Sequence, residues 1–182
     1  MIAAVKFGNR LSRLPLICAV CLVTLAAVSG AAAAPSLVYR VARVIDGDTI
    51  ELTNGQHVRL VQIDTPEVYG GYQCFGPQAS ATAKRLLPVG TRVVLQFEPA
   101  SDPVDQYGRL LRYVVRARDG LNVNLRLVAV GAAAPWFYDG ERGRYFAKLQ
   151  ALAKQARAKR LGLWGACPRT VYDPYSAITT RR

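Results

Sequence analysis

The dipeptide Asn54-Gly55 sits between two runs of strand-forming residues, "DTIEL" (48–52) and "QHVRLVQI" (56–63). Both turn residues tolerate positive φ at low cost, so the pair closes a tight hairpin and fixes which residues of the two strands face one another. It also fixes what stands at the hairpin's other end. The start of the first run lies beside the end of the second, which brings Asp48 near Asp64. A further run, "SLVYRVARVI" (36–45), precedes the hairpin and is broken by Gly47. The three runs form a meander, and its connections carry the acids.

The rest of the chain completes a small barrel. "GPQASATAKRLLPVG" has helix composition, with Ala79, Ala83, Leu86 and Leu87 at helical spacing and Pro88 and Gly90 as the stop. "TRVVLQFE" predicts a fourth strand, and "DQYGRLLRYVVRA" a turn followed by a fifth. "LNVNLRLVAVG" predicts a short helix closed by Gly131. Residues 140–164 predict a longer helix with Tyr145, Leu149, Leu152 and Ala156 as its apolar stripe. Five short, mostly antiparallel strands must hide their edges, and closure into a five-stranded barrel of the OB type does so. The expected fold is therefore α+β, mainly β: an OB-fold barrel with three helices, over residues 35–167. Residues 168–182 read as an extended C-terminal tail.

Residues 1–34 stand apart. Lys6, Arg10 and Arg13 precede the apolar run "LPLICAVCLVTLAAV" and the small-residue run "SGAAAAP". This is the pattern of a secretory signal peptide cut near Ala32 to Ala34, with an uncleaved membrane anchor as the alternative. The expected location is secreted or periplasmic. Two cysteines then remain, Cys74 and Cys167, and export to an oxidising compartment makes a disulfide between them the default.

The chain carries 24 Lys and Arg against 12 Asp and Glu, a formal charge of +12. Such a balance suits nucleic acid, anionic lipid or acidic glycan as a partner, or simply keeps the surface soluble. The single histidine, His57, excludes two-histidine acid–base schemes and adjoins the hairpin turn, a structural position. No Gly-rich phosphate loop opens a helix.

Carboxylates and arginines remain. Asp46 and Asp48 flank Gly47, Asp64 ends the third run, and Glu67 follows "TP". Such aspartates either cap their own turns or, brought together, seat a cation that offsets their repulsion. Oxygen-only ligation selects a hard ion such as Ca²⁺ or Mg²⁺. Arg59 shares a strand with Asp64, and Arg109 follows the Tyr107-Gly108 turn. Their planar forks suit a phosphodiester, whose developing charge a cation and guanidiniums would stabilise. Glu67 would then position or deprotonate the attacking water.

The motifs "VIDGDTIEL", "VRLVQIDTPE", "FGPQAS", "DQYGRLLRYV" and the closing "GLW" together resemble the staphylococcal nuclease (thermonuclease-like) family, from about Val38 to Trp164. The resemblance implies an OB-fold barrel with three helices and hydrolysis of DNA and RNA with one Ca²⁺, leaving 3′-phosphate ends. It implies Asp48 and Asp64 as calcium carboxylates and Thr65 as a carbonyl ligand. It also implies Arg59, Glu67 and Arg109 as catalytic residues, with Tyr107 and Tyr138 as substrate contacts. The alternative is a non-catalytic OB-fold module that binds nucleic acid. A monomer is expected, with no stable protein partner. Three departures from the type enzyme stand out: a shorter loop "EVYGGYQCFGPQ" without lysines, Gln106 in place of a lysine, and Ala153 where glutamate is frequent.

Overall fold

The computed structural model describes residues 37–71 and 73–181. The expected signal segment at 1–34 lies outside them, and among the described residues no helix is long and apolar enough to cross a membrane.

The hairpin closes where expected, but through a three-residue loop, Thr53 to Gly55, in which Gly55 alone takes positive φ (81°) and the Leu52 amide donates to the Gln56 carbonyl at 2.9 Å. Strand β2 (Thr49–Leu52) pairs antiparallel with β3 (His57–Leu60), with Thr49 opposite Arg59. Strand β1 (Val38–Val44) pairs with β2 on the other side, its register shifting between Val41 and Arg43. Such an irregularity bends a strand and raises its twist, which a small barrel needs. Strand β5 (Arg92–Phe97) pairs antiparallel with β1 and with β6 (Leu110–Arg116). The barrel closes through a parallel pairing of β3 with β6, giving the order β1-β2-β3-β6-β5. Val41, Ile50, Leu52, Val58, Leu60, Val93 and Val114 fill the interior.

The third strand is shorter than its sequence suggests. The run through Ile63 breaks after Leu60, because Gln62 adopts φ 61° and turns the chain. A two-residue strand, β4 (Ile63–Asp64), resumes in a different direction and pairs with β7 (Ala134–Pro135). Gln62 is held there by its buried side chain, whose Oε1 accepts from Tyr113 Oη at 2.5 Å. The "LVQI" stretch is therefore kinked, and Arg59 and Asp64 stand on two separate strands instead of the one expected.

Helix α1 (Gly76–Leu86) and helix α2 (Val123–Ala129) lie where expected. The long third helix is trimmed to α3 (Phe146–Ala158), and a separate short helix α4 (Leu163–Ala166) makes four among the described residues where three were expected. The residues before α3 instead form a 3-10 turn at Tyr138–Gly140, with Asp139 at φ 51°. Leu149, Ala153 and Ala156 are the buried face of α3, so Ala153 fills a space in which a carboxylate would need a partner. Cys74 and Cys167 form a disulfide. The tail contains no helix, but it does not trail away as an extended segment. Val171 pairs antiparallel with Thr179, so the chain doubles back across the domain.

Candidate active site

The turn between β1 and β2 begins the site. Asp46 Oδ1 accepts the Asp48 amide at 3.0 Å, and this local hydrogen bond holds both acids on one tight loop. Gly47 between them is required, because a Cβ there would meet Thr65 Oγ1 at 2.5 Å. Asp48 faces inward and is only 6% exposed. Its Oδ2 accepts from both the amide and the hydroxyl of Thr65, each at 2.8 Å. The hairpin geometry thus brings Asp48 and the Asp64-Thr65 segment together, as the turn dictated.

Arg59 stands between the two aspartates. Nη1 donates to the carbonyls of Leu60 (3.0 Å) and Ile63 (2.8 Å), Nη2 donates to Asp64 Oδ1 (2.7 Å), and Nε stands 3.2 Å from Asp48 Oδ1. The kink at Gln62 makes this possible, because it folds the Ile63 carbonyl and Asp64 back toward the guanidinium. Arg59 and Asp64 are 8% and 5% exposed.

The negative charge exceeds what one guanidinium neutralises. The Asp64 carboxyl is pushed up to about 7, by burial first and by Asp48 and Glu67 in addition, against the opposing pull of Arg59. Asp46 is raised by burial and by Asp48. Glu67 is exposed, yet its carboxyl is also raised, first by partial loss of solvent and then by Asp48 and Asp46. Repelling carboxyls of this kind are relieved by a cation. The donor set is oxygen only, which fits a hard divalent ion. Among the described residues no group of three or more His, Cys, Asp or Glu side chains is arranged to hold a metal. An ion here would therefore rest on the two carboxylates Asp48 and Asp64, a carbonyl such as that of Thr65, and water.

Glu67 is positioned through its backbone. Its amide donates to Gln73 Oε1 at 3.3 Å and its carbonyl accepts the Gln73 amide at 3.1 Å. Gly76, which opens α1, packs so closely on that carbonyl that a Cβ would sit 2.4 Å from the oxygen. The "FGP" of the sequence thus holds the loop bearing Glu67.

Arg109 enters from the turn before β6. Asp105, which the sequence analysis passed over, orients it: Oδ2 accepts Arg109 Nε at 2.7 Å and Oδ1 accepts the amides of Tyr107 and Arg109. The available signal was an aspartate opening a Tyr-Gly turn, where its side chain accepts the amide two residues on. Arg109 Nη1 lies 3.5 Å from Thr49 Oγ1, which in turn donates to Asp48 Oδ1 at 3.3 Å, so both arginines border Asp48. Tyr107 is exposed and its ring lies 5.3 Å from the Arg109 guanidinium. Tyr138 is exposed as well and packs edge-on against Trp136, 5.8 Å between ring centres. Trp136 was also missed; its ring lies 5.7 Å from the Arg59 guanidinium. Two aromatic surfaces therefore border the two arginines, while His57 stands apart, 3.7 Å from Glu51 across the hairpin.

The model of the staphylococcal nuclease homologue family matches residues 57–166. The chain belongs to that family. Among its relatives is a protein described as an uncharacterized endonuclease of Escherichia coli O157:H7, 39% identical over 69% of this chain and 75% of its own length. A thermonuclease of Staphylococcus intermedius is 37% identical over the same shares of the two chains. A prophage-derived endonuclease of Bacillus subtilis (strain 168) is 34% identical over 67% of this chain and 42% of its own. The matched range begins after Asp48, so the barrel's own geometry is what joins that residue to the rest of the cluster.

Proposed function

We propose that this protein is a calcium-dependent nuclease that acts outside the cytoplasm, hydrolysing phosphodiester bonds of DNA and RNA and leaving 3′-phosphate ends. Family membership supports the coarser reading, a phosphodiester-hydrolysing nuclease with a divalent metal. One observation carries the finer reading: buried Asp48 and Asp64 flank Arg59 at the barrel end, with more carboxylate than one guanidinium neutralises.

Each residue then has a task that follows from its setting. Asp48 and Asp64, with the Thr65 carbonyl, would hold the calcium ion, which when bound supplies positive charge to a phosphate oxygen. Arg59 has Nη1 fixed by two carbonyls, while Nε and Nη2 face Asp48 and Asp64; with a cation on those carboxylates, these two nitrogens would be the ones to turn to a phosphate. Arg109, steadied by Asp105, offers a second fork from the turn that leads into the neighbouring strand β6. Glu67 sits on a pinned loop at the solvent edge of the cluster, where its carboxylate can orient and deprotonate a water. Tyr107, Tyr138 and Trp136 offer faces for bases, and such stacking tolerates any sequence. A binding-only OB module uses the aromatics and basic groups, but acids facing a polyanion weaken such a module. The cluster therefore favours catalysis. The signal-like segment at 1–34 supports export, and the enzyme is proposed to act as a monomer.

The test is cleavage of plasmid DNA, single-stranded DNA and RNA by the pure, disulfide-intact protein with Ca²⁺, with Mg²⁺ and with chelator. Expected are Ca²⁺-dependent products that carry 3′-phosphate. Absence of cleavage in millimolar Ca²⁺ overturns the reading. Amino-terminal sequencing of the exported protein checks the location, and a start near Pro35 is expected.

A further inference from the structure

The family match ends at Ala166, yet the chain continues to the acid cluster. The Ile178 amide donates to Asp64 Oδ2 at 2.9 Å in a buried contact between residues 114 positions apart. Asp64 is thus held at both oxygens, by Arg59 on Oδ1 and by Ile178 on Oδ2.

The segment that delivers this amide is anchored on both sides. Cys167, at its start, is disulfide-linked to Cys74, on the loop between Glu67 and α1. Near its end, Thr180 Oγ1 donates to the Cys74 carbonyl at 2.6 Å, and the Cys74 amide donates to the Thr180 carbonyl at 3.4 Å. Midway, the Pro174 carbonyl accepts the Phe137 amide at 2.7 Å. The Ile178 side chain is 3% exposed and packs in a small core with Ala134, Leu163 and Cys167. Both ends of the segment therefore meet at Cys74, and its buried middle points one backbone N–H at Asp64.

We propose that Ile178 is a positioning residue for Asp64: its backbone amide, delivered by the folded-back C-terminal segment, fixes the Asp64 carboxylate in the orientation that binds the metal ion. This rests on the reading of Asp64 as a metal ligand. A carboxylate on a short side chain turns about its Cβ–Cγ bond, and one donor alone restrains it poorly. Two donors on opposite oxygens fix the plane, so ligand ordering is complete before the ion arrives. Partners of this kind commonly govern about 10- to 100-fold in metal affinity.

The test compares Ca²⁺ binding by calorimetry in full-length, disulfide-intact wild type, Ile178→Pro and Ile178→Ala. Proline removes the N–H, whereas alanine keeps it and trims only the packing. Expected is a Kd for Ca²⁺ raised about tenfold in Ile178→Pro and less than about threefold in Ile178→Ala. At saturating Ca²⁺ the kcat of Ile178→Pro should return to near wild type. Wild type provides a second measurement that does not depend on a variant folding. Coupling is reciprocal, so Ca²⁺ should slow hydrogen exchange at the Ile178 amide by about the same tenfold. A folded Ile178→Pro with Kd within twofold of wild type, or an Ile178 amide whose exchange ignores Ca²⁺, overturns the proposal. Wild type that neither binds Ca²⁺ nor cleaves nucleic acid brings down the proposed function itself, and this inference with it.

Discussion

Arg59 shows why the two residue types in this site are not interchangeable with their near relatives. A guanidinium has a planar fork of five N–H donors, and here one nitrogen is spent on two carbonyls while the other two face carboxylates. A lysine ammonium reaches one point and cannot hold the Leu60 and Ile63 carbonyls while facing the substrate. Arg59→Ala and Arg59→Lys should therefore both lose about 100- to 1000-fold in kcat, the usual scale for losing a donor to developing charge. Steady-state cleavage of a defined oligonucleotide in saturating Ca²⁺ measures this, and a loss under about threefold for either variant means that the phosphate sits elsewhere. Asp64→Asn should behave differently. It keeps the shape but halves the carboxylate pair, so the Ca²⁺ concentration for half-maximal rate should rise at least about tenfold. An unchanged Ca²⁺ dependence would remove Asp64 from the metal site. That these residues come together was legible because they are few, their types are specific, and one turn places them. Asp105 and Trp136 were not legible in the same way. Asp105 acts only through Arg109, and Trp136 lies in an aromatic triplet whose exposed and buried members sequence does not distinguish.

At the level of elements, the joint between β5 and α3 rests on one buried carboxylate. Glu98 follows β5, is 3% exposed, and accepts the amides of Arg144 (2.8 Å) and Ala100 (3.1 Å). Burial alone would raise its pKa, but the two amides and the nearby Arg144 side chain outweigh it and hold it below the usual carboxylate range. A depressed folded pKa means that the stabilisation is present above the unfolded value and is lost as pH falls through the folded one. Glu98→Gln should therefore lower stability by about 2 kcal/mol at pH 7, the scale of hydrogen bonds to a charged group. Near pH 3 the gap from wild type should narrow. Urea unfolding of both proteins at the two pH values checks this, and an equal gap at both would show that the carboxylate charge is not involved. The same joint explains where the element boundaries went wrong. Helical spacing runs from Tyr145 onward, but Arg144 answers to Glu98 and Glu141 to Gln62, partners more than forty positions away. The Asn54-Gly55 hairpin was legible because its cause is local. The kink at Gln62 was not, because Tyr113 and Glu141 hold that side chain from other parts of the chain.

For the molecule as a whole, the main unread feature is how the ends of the domain are tied to its chemistry. Pairing of the cysteines followed from their number and the expected export, but the fold-back beyond Cys167 depends on contacts across more than a hundred positions, which no local pattern encodes. The disulfide encloses a loop of 93 positions, from α1 through β5, β6, α2 and α3 to α4. In the chain-entropy model, closing a loop of that length restricts the unfolded chain by about 4–5 kcal/mol. For a domain of this size that corresponds to a melting temperature higher by roughly 10–20 °C. The double variant Cys74→Ala, Cys167→Ala should lose that much, measured by scanning calorimetry in chelator. The two sulfur positions also meet the backbone that receives Thr180, so the loss should not be purely global. Added Ca²⁺ stabilises whichever protein binds it in the folded state, in proportion to the logarithm of concentration over Kd. The double variant should then gain less from a given Ca²⁺ concentration than wild type, because its loosened tail orders Asp64 less well. A melting temperature within about 3 °C of wild type in chelator would mean that the link restrains little. An equal Ca²⁺ increment in the two proteins would separate the link's effect on stability from any effect on the site.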